Sequence, residues 1–193
     1  MAGNDDFMAS IDAFVEKAKS NQEQVVRAGC IRILARLVEM SPVGNTELWE
    51  VNQTAVQYNN AVIEYNDQLH NNPDNLTRNG RLKRGRKIHD SMAIRSPAGY
   101  TGGRFRGNWQ VSFDERATEE TGRIDKSGGE TLRAGNLVLS QFRVGMKEVF
   151  FCNNVPYAYP LEMGHSSQAP GGMVRITAAE AARFFEEAAK EVS

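Results

Sequence analysis

The sequence predicts an α+β fold, in which a long N-terminal helix and a C-terminal helix pack on an antiparallel β-sheet, with a partly helical insertion between them. Three observations predict it: helical spacing of apolar residues near both ends, one segment of strict apolar–polar alternation, and a middle segment of different composition. At 193 residues and 40% hydrophobic content the chain can bury one core. Since domains average roughly 150 residues, a single domain with an inserted arm is expected.

The N-terminal helix is predicted from apolar residues that recur every three or four positions as far as residue 37. These residues are Ile11, Phe14, Val15, Ala18, Val26, Cys30, Ile33, Leu34 and Leu37. Asn21-Gln22 marks either a break in this helix or part of its polar face. The helix is expected to end at Ser41-Pro42, because the residue before proline avoids the α region and proline cannot donate a helical hydrogen bond.

A strand is predicted over residues 104–113, where apolar and polar residues alternate strictly, as is typical of a half-buried strand in an antiparallel sheet. Its core residues are Phe105, Trp109, Val111 and Phe113. We expect these four to pack against the first and last helices, whereas Arg104 and Arg106 face solvent. Gly107, among large inward residues, indicates close approach of another backbone.

The C-terminal third begins with a short helix near residues 132–142 and a second strand over residues 144–153. Residues 155–172 contain too much proline and glycine for a helix and predict a turn, followed by a short strand over residues 173–176. Thr177 and Glu180 have capping-box spacing, which predicts the start of the last helix. The apolar face of that helix consists of Ala181, Phe184, Phe185, Ala188 and Val192.

Residues 48–69 carry an apolar stripe in steps of three and four, which predicts a helix of about two dozen residues. The stripe consists of Leu48, Val51, Ala55, Tyr58, Val62, Tyr65 and Leu69. A β-hairpin turning at Asn59-Asn60 is the alternative, because valine, isoleucine and tyrosine also favour strands. The stripe is expected to pack within the chain or against a neighbouring subunit.

Basic residues then cluster within ten positions that contain no acidic residue. They are Arg78, Arg81, Lys83, Arg84, Arg86 and Lys87. The net charge of the chain is −1, and without these six the remaining 17 basic and 24 acidic residues give −7. This balance excludes a globally basic nucleic-acid binder. The basic segment is a solvated loop, a docking site for an acidic protein, or a contact for a nucleic-acid backbone; without aromatic residues it does not predict a base-stacking groove.

No metal or cofactor motif occurs in the sequence, and no cofactor is expected. His70, His89 and His165 lack the spacings that chelate a metal from one element, and neither Cys30 nor Cys152 has a CxxC partner. Cys30 is expected to be a buried free thiol. We expect neither secretion nor membrane insertion, since the acidic N-terminal segment lacks signal-peptide features and no apolar run approaches roughly 18 residues.

One cluster has the composition of an enzyme site. Glu162 could orient His165, which could in turn activate Ser166. The favoured interpretation is structural: Glu162 and His165 hold a tight Gly/Pro turn through hydrogen bonds to backbone amides. Neither an oxyanion hole nor a cleft is predicted from these residues.

Several short strings, taken in order, carry a resemblance. They are Ser41-Pro-Val43, Gly99-Tyr-Thr-Gly-Gly-Arg-Phe-Arg-Gly-Asn-Trp109, Asn153-Asn-Val-Pro-Tyr157, Tyr159-Pro-Leu-Glu162, Gly164-His-Ser166, Gln168-Ala-Pro170 and Met173-Val-Arg-Ile176. With these motifs the chain resembles the phage tail-completion and head–tail joining family, whose members are often described as neck or minor tail proteins. The match is loose over residues 1–43 and good over about 97–190.

The resemblance implies a small α+β protein without catalytic activity. It implies a closed homo-oligomeric ring of six subunits at the head–tail junction of the virion, made in the bacterial host cytoplasm and contacting neck and tail-tube or tail-terminator proteins. The Gly/Pro-rich string suits an assembly segment that reaches a neighbour. The turn and assembly residues are Tyr157, Tyr159, Pro160, Glu162, Gly164, His165, Ser166 and Pro170.

The chain departs from the family pattern at about residues 50–95. Family members commonly close this passage in a short proline-rich stretch, whereas here it carries both the apolar stripe and the basic segment. We expect an inserted arm that docks on an acidic neck or tail protein, with DNA in the ring lumen as the less favoured contact. The functional alternatives are a nucleic-acid-binding accessory protein acting through residues 78–87 and, less favoured, a hydrolase or nuclease using Glu162 and His165.

Overall fold

The computed structural model of the protein describes residues 2–98 and 100–192. The chain forms two compact units, Met1–Val43 with Thr101–Ser193, which we term the body, and Gly44–Tyr100, which we term the insert. The body combines helices from both chain ends with a two-stranded antiparallel sheet, so the predicted α+β fold class is confirmed. Gly99, where the glycine-rich string of the resemblance begins, lies outside the described residues.

Helix α1 spans Ala2–Met40 without interruption, so of the two interpretations of Asn21-Gln22 the break is excluded and the polar stretch within the helix holds. It ends at Ser41-Pro42, as predicted. Its second half supplies much of the core: Cys30, Leu34, Leu37 and Val38 are buried. Burial raises the pKa of the Cys30 thiol to about 11, so this cysteine is an inert core residue.

The remaining elements of the body follow the insert. In chain order they are α3 (Arg104–Gly107), β1 (Trp109–Phe113), α4 (Gly129–Leu139), β2 (Val149–Asn153), α5 (Ala158–Glu162) and α6 (Val174–Val192). Strands β1 and β2 pair antiparallel, with Trp109 opposite Asn153 and Phe113 opposite Val149. The second strand is shorter than the predicted 144–153, because Val144 and Met146 form only an isolated bridge.

Helices α4 and α6 approach α1 closely at glycine positions. A Cβ atom at Gly29 would lie 2.4 Å from Cδ1 of Phe185, and one at Gly135 would lie 2.2 Å from Cδ2 of Leu34. Each glycine therefore lets a side chain of one helix rest directly on the backbone of the other. Leu34 is fully buried as a result, at the centre of the core.

The strand predicted over residues 104–113 is wrong in its first half, since residues 104–107 form α3. Phe105 and Trp109 are four residues apart, a spacing that places two side chains on one side of a helical turn as well as on one face of a strand. Both are buried, with ring centroids 5.9 Å apart in an edge-on arrangement. Val111 is buried and Phe113 partly so, and all four aromatic and aliphatic side chains pack into the core.

Gly107 ends α3 at a point where another segment passes close to the backbone. A Cβ atom at Gly107 would lie 2.4 Å from the carbonyl oxygen of Arg123. The Gly107 carbonyl in turn accepts from the Arg123 guanidinium and from the Thr121 hydroxyl, each at 3.2 Å. The close backbone approach predicted at this glycine is therefore present.

Trp109 joins β1 to the end of α1. Its indole Nε1 donates to Ser41 Oγ at 2.7 Å, and Ser41 Oγ donates to the Leu37 carbonyl at 2.6 Å. Ser41 is 1% exposed, so this pair of hydrogen bonds is inside the core. A buried polar group must be paired to be tolerated, and the tryptophan and serine satisfy each other.

Arg106 does not face solvent, and this expectation is wrong. Its guanidinium donates to the Ser41 carbonyl at 2.7 Å and to the Lys126 carbonyl at 2.8 Å. Carbonyl groups at the end of a helix lack intrahelical partners and carry the negative end of the helix dipole, so a cation is stabilised there. Arg104, which is half-exposed, pairs with Glu120 at 2.8 Å.

In the insert, helix α2 spans Gln53–Leu69 and follows single helical turns at Thr46–Leu48 and Glu50–Asn52. The helix is confirmed over the alternative hairpin. Its packing face is not the predicted apolar stripe, however. Leu48, Val51, Tyr58 and Tyr65 are exposed, and Ala55 is the buried member of the stripe.

Three asparagines, seven residues apart, form the packing face instead. Asn52, Asn59 and Asn66 each use Oδ1 to accept from a backbone N–H and Nδ2 to donate to the carbonyl of the same residue. The residues held are Arg95, Met92 and Ile88, with distances of 2.8–2.9 Å. We term residues 88–95 the strap. Seven helical residues rise about 10.5 Å, which is close to the length of three or four residues of extended chain. The spacing of the asparagines therefore matches the spacing of the strap residues that they bind.

Replacing Trp109 tests the junction between β1 and α1. We expect Trp109→Ala to lower the free energy of unfolding by about 3–5 kcal/mol, as large aromatic truncations in cores do. Trp109→Phe keeps much of the packing but leaves Ser41 without its donor, so about 1–2 kcal/mol should be lost. Urea denaturation measures both, and Leu137→Ala, at a site 66% exposed, is the control. A control that falls as far as Trp109→Ala would contradict the burial described.

Replacing Asn52, which is fully buried, tests the asparagine ladder. Asn52→Asp keeps an acceptor for the Arg95 N–H but sets a carboxylate against the carbonyls of Arg95 and Thr46. We expect the strap to open more readily by about 2 kcal/mol, or roughly 30-fold faster exchange of the Arg95 amide hydrogen. Asn60→Asp, at an exposed position of α2, should leave this exchange unchanged. Equal exchange in the two variants would show that the ladder does not hold the strap.

Candidate functional site

The predicted turn and assembly residues lie together in the body, but the first part of the predicted turn is wrong, because Ala158–Glu162 forms the helix α5. Gly164, His165, Ser166 and Pro170 lie in the turn between α5 and α6. Tyr157 and Tyr159 are exposed, at 38% and 73%, and Pro160 lies within α5. Gly164 adopts a φ of 87°, and a Cβ atom there would lie 2.5 Å from the Pro170 carbonyl oxygen. The turn thus closes on itself at a position that requires glycine.

Glu162 caps the N-terminus of α6 from across this turn. Its carboxylate accepts from the backbone N–H groups of Met173 at 2.7 Å, Val174 at 2.9 Å and Arg175 at 3.0 Å. These amides have no partner within the helix, and the positive end of the helix dipole favours an anion. Burial raises the pKa of Glu162, but the hydrogen bonds from the three amides and from the Arg175 side chain outweigh burial, so its pKa lies below the ordinary value.

The strand predicted over residues 173–176 and the capping box at Thr177 are both wrong. Helix α6 begins at Val174, which places Thr177 inside its first turn. The Thr177 side chain is buried, and its hydroxyl has no hydrogen-bond partner among the described residues. Glu180 pairs instead with Arg36 of α1 at 2.8 Å. The cap comes from Glu162, too far upstream for a local pattern to reveal it.

Glu162, His165 and Ser166 do not assemble into a catalytic arrangement in this structure. Both oxygens of Glu162 are engaged by α6, the His165 side chain is exposed, and Ser166 Oγ accepts from the Gln168 amide at 3.3 Å. Among the described residues, no hydrogen bond joins any two of the three side chains. Nor do those residues bring three His, Cys, Asp or Glu side chains close enough to hold a metal ion.

All six predicted docking residues stand exposed on a small hairpin of the insert, residues 76–87, which we term the basic hairpin. Leu76 and Leu82 pair as an antiparallel bridge, and Gly80 and Gly85 make turns with φ of 74° and 82°. Lys83 Nζ donates to the Asp74 carbonyl at 2.9 Å. Within the described chain, no ion pair of 4.0 Å or less involves any of the six.

The first part of α1 has an exposed apolar face, and its exposure was not predicted from the sequence. Residues 6–20 are all exposed, including Phe7 at 60%, Ile11 at 42% and Phe14 at 70%. Steps of four and three place these three in one line along the helix. We term them, with the adjacent Met8 and Val15, the N-terminal seam. The periodicity predicted the helix correctly, but periodicity does not tell whether a face is covered.

In the part of the chain that the structure describes, no helix combines the length and apolar character needed to cross a membrane. No protein-family model, curated protein or solved structure matches the chain. Function is therefore inferred from the molecule's own surfaces. Two of them stand out as uncovered: the N-terminal seam of the body and the basic hairpin of the insert.

Replacing Glu162 separates a structural from a catalytic role. We expect Glu162→Gln to destabilise the chain by about 1–3 kcal/mol at neutral pH, because an amide cannot accept from three N–H groups as a carboxylate does. Because the pKa of Glu162 is lower in the folded than in the unfolded chain, its contribution is complete above the unfolded pKa and is lost as pH falls through the folded one. The variant should therefore lose stability less steeply in acid than the wild type.

His165→Ala is the matched control for that experiment, since its side chain is exposed, and we expect little change in the denaturation midpoint. Denaturant unfolding between neutral and acidic pH measures both variants. Equal stability of Glu162→Gln and wild type at neutral pH would contradict the capping role.

Proposed function

We propose that the chain is a non-enzymatic structural protein of a phage virion, which completes the tail or neck and joins the head to the tail as a closed homo-oligomeric ring. The order of its motifs, which resembles that of head–tail joining proteins, supports this assignment. The observation that carries it is the N-terminal seam, an apolar helix face that no described residue covers. Six subunits are expected, since phage necks and tail tubes commonly have six-fold symmetry.

The N-terminal seam has the properties of a helix that is stabilised by a neighbour. The fifteen exposed residues 6–20 extend for about 22 Å, and an isolated helix of this length is marginal in water. Phe7, Ile11 and Phe14 continue to Ala18 in steps of four, three and four, the spacing of a coiled-coil seam. In a ring, an adjacent copy of the same chain is always present to cover this face, which favours a second copy as the partner.

The turn between α5 and α6 offers a second surface for assembly. Glu162 and Gly164 hold it rigid, while the Tyr159 side chain is 73% exposed. Tyr159 lies on α5, directly before this turn, and an exposed tyrosine at such a place suits an interface, because tyrosine is enriched where proteins meet and loses little side-chain entropy on binding. A ring uses two different surfaces on each subunit, one for each neighbour, and the seam and the turn supply two.

The two alternatives receive unequal support. A nucleic-acid-binding role has one favourable observation: the cations of the basic hairpin are exposed and form no ion pair with any described residue. A hydrolase or nuclease receives none from the geometry of Glu162, whose oxygens bind the amides of α6.

A charged substitution in the N-terminal seam tests the proposed function. We expect the double variant Ile11→Glu, Phe14→Glu to fold with an unchanged denaturation midpoint, since both positions are exposed, yet to form fewer oligomers by native mass spectrometry. In the phage that carries the gene, this variant should give filled heads and separate tails. Each lost apolar contact weakens every subunit contact of the ring, so assembly should fall steeply.

The matched control is Ala9→Glu, Ala13→Glu, which adds the same charge to the opposite, exposed face of the helix. It should assemble as the wild type does. Normal virions in the complete absence of the protein would rule out a head–tail joining role. Equal assembly of the two double variants would show that the seam is not the contact.

A further inference from the structure

We propose that the basic hairpin of one copy docks on the acidic face of α2 in the next copy, so that the insert forms a second, electrostatic contact between subunits. This inference rests on the proposed self-assembly and names the partner of the docking segment: a second copy of the same chain. It replaces the earlier expectation of an acidic neck or tail protein as the partner.

The charges of the insert are separated along its sequence. Residues 44–77 contain five acidic residues and no lysine or arginine, whereas residues 78–87 contain six basic residues and no acidic one. The acidic residues are Glu47, Glu50, Glu64, Asp67 and Asp74. The insert therefore has one negative part, which includes α2, and one positive part, the basic hairpin.

These opposite charges do not neutralise each other within the chain. Every ion pair of 4.0 Å or less among the described residues lies in the body, and the described insert forms none. All thirteen acidic and basic side chains of residues 44–98 are exposed. A unit that carries this many exposed charges of both signs in separate segments, without an ion pair among its described residues, is complementary in charge to another copy of itself.

The acidic part presents an accessible face for such a contact. Glu64 and Asp67 lie on α2 beside Asn60 and Gln68, along a shallow depression of the helix surface. Ile63 is 58% exposed at the same place, so the face offers apolar area as well as charge. The asparagine ladder uses a different set of side chains, and docking at this face does not require the strap to move.

The geometry favours a second copy over nucleic acid as the partner. The hairpin binds its neighbour through one surface and offers another, the α2 face, to the next neighbour, which is the head-to-tail contact that closes a ring. Nucleic acid would leave the acidic residues of α2 equally unpaired. It would also be repelled by them, because they belong to the same small unit.

Paired charge reversal tests the contact. The hairpin variant is Arg84→Glu, Arg86→Glu, and the helix variant is Glu64→Arg, Asp67→Arg. At low ionic strength each variant alone should associate at least about tenfold more weakly than the wild type in sedimentation velocity. An equimolar mixture of the two should recover association, because each mismatched hairpin then meets a helix of opposite charge. Added salt should weaken wild-type association.

The control is Lys147→Glu, Lys190→Glu, which reverses two exposed charges of the body and should associate as the wild type does. Unchanged association of the hairpin variant would overturn the contact, as would failure of the mixture to recover. Binding of wild type, but not of the hairpin variant, to a short duplex DNA, together with failure of the mixture, would assign the hairpin to nucleic acid instead.

The seam variant Ile11→Glu, Phe14→Glu, run in parallel, keeps this result separate from the proposed function. Loss of oligomers in the seam variant alone would support ring assembly while overturning the contact between inserts. A wild-type chain that remains monomeric at low ionic strength and high concentration would overturn the contact, whereas the joining of heads to tails is judged independently in the phage.

Discussion

Burial of the second half of α1 is the interaction on which the rest of the body depends. Leu34 is completely enclosed because Gly135 lets it reach the backbone of α4, and Gly29 admits Phe185 of α6 on another side of the same helix. The end of α1 then receives β1 through the hydrogen bond from Trp109 to Ser41. One helix thus contacts each layer of the body, and its apolar burial supplies the main driving force for that unit.

Two carboxylates that lie upstream of these helices complete this arrangement by capping the helices packed on α1. Glu162 caps α6, and Asp125 accepts from the Gly128 and Thr131 amides at the start of α4 at 2.8 and 2.9 Å. Burial raises the pKa of Asp125, yet these amides, with the Ser127 and Thr131 hydroxyls, lower it to about 2. Asp125 belongs to the loop before α4 and Glu162 is the last residue of α5, so each cap also fixes the path of the chain that leads into its helix.

The sequence predicted what depends on local periodicity. Apolar spacing found α1, α6 and the helix of the insert, and the proline at position 42 located the end of α1. Phe105 and Trp109 were correctly predicted to lie in the core. The backbone between them was wrongly predicted as a strand, because side chains four residues apart share one side of a helical turn as well as one face of a strand. The cap of α6 was not predicted from the sequence, because it depends on a chain segment that closes over eleven residues, from Glu162 to Met173.

The sequence predicted the basic hairpin as a candidate surface, but it did not predict the asparagine ladder or the exposure of the N-terminal seam. A cluster of cations is visible in any sequence, and the basic hairpin was found from composition alone. The asparagine ladder was not, although Asn52, Asn59 and Asn66 recur every seven residues. Asparagines that recur every seven residues can indicate such a ladder. The apolar stripe beside them, however, matched the heptad spacing that usually marks the packing face of a helix. Exposure of the N-terminal seam depends on what the rest of the chain leaves uncovered, which spacing does not encode.

The asparagine ladder has a consequence for how the insert can change over evolution. On the strap, Asn52, Asn59 and Asn66 bind backbone N–H and carbonyl groups, which every residue except proline supplies alike. The side chains of residues 88–95 therefore contribute little to holding the strap in place, and all of them except Ile94 belong to exposed residues. Selection can rewrite this surface for a new neighbour while the helix continues to hold it in place.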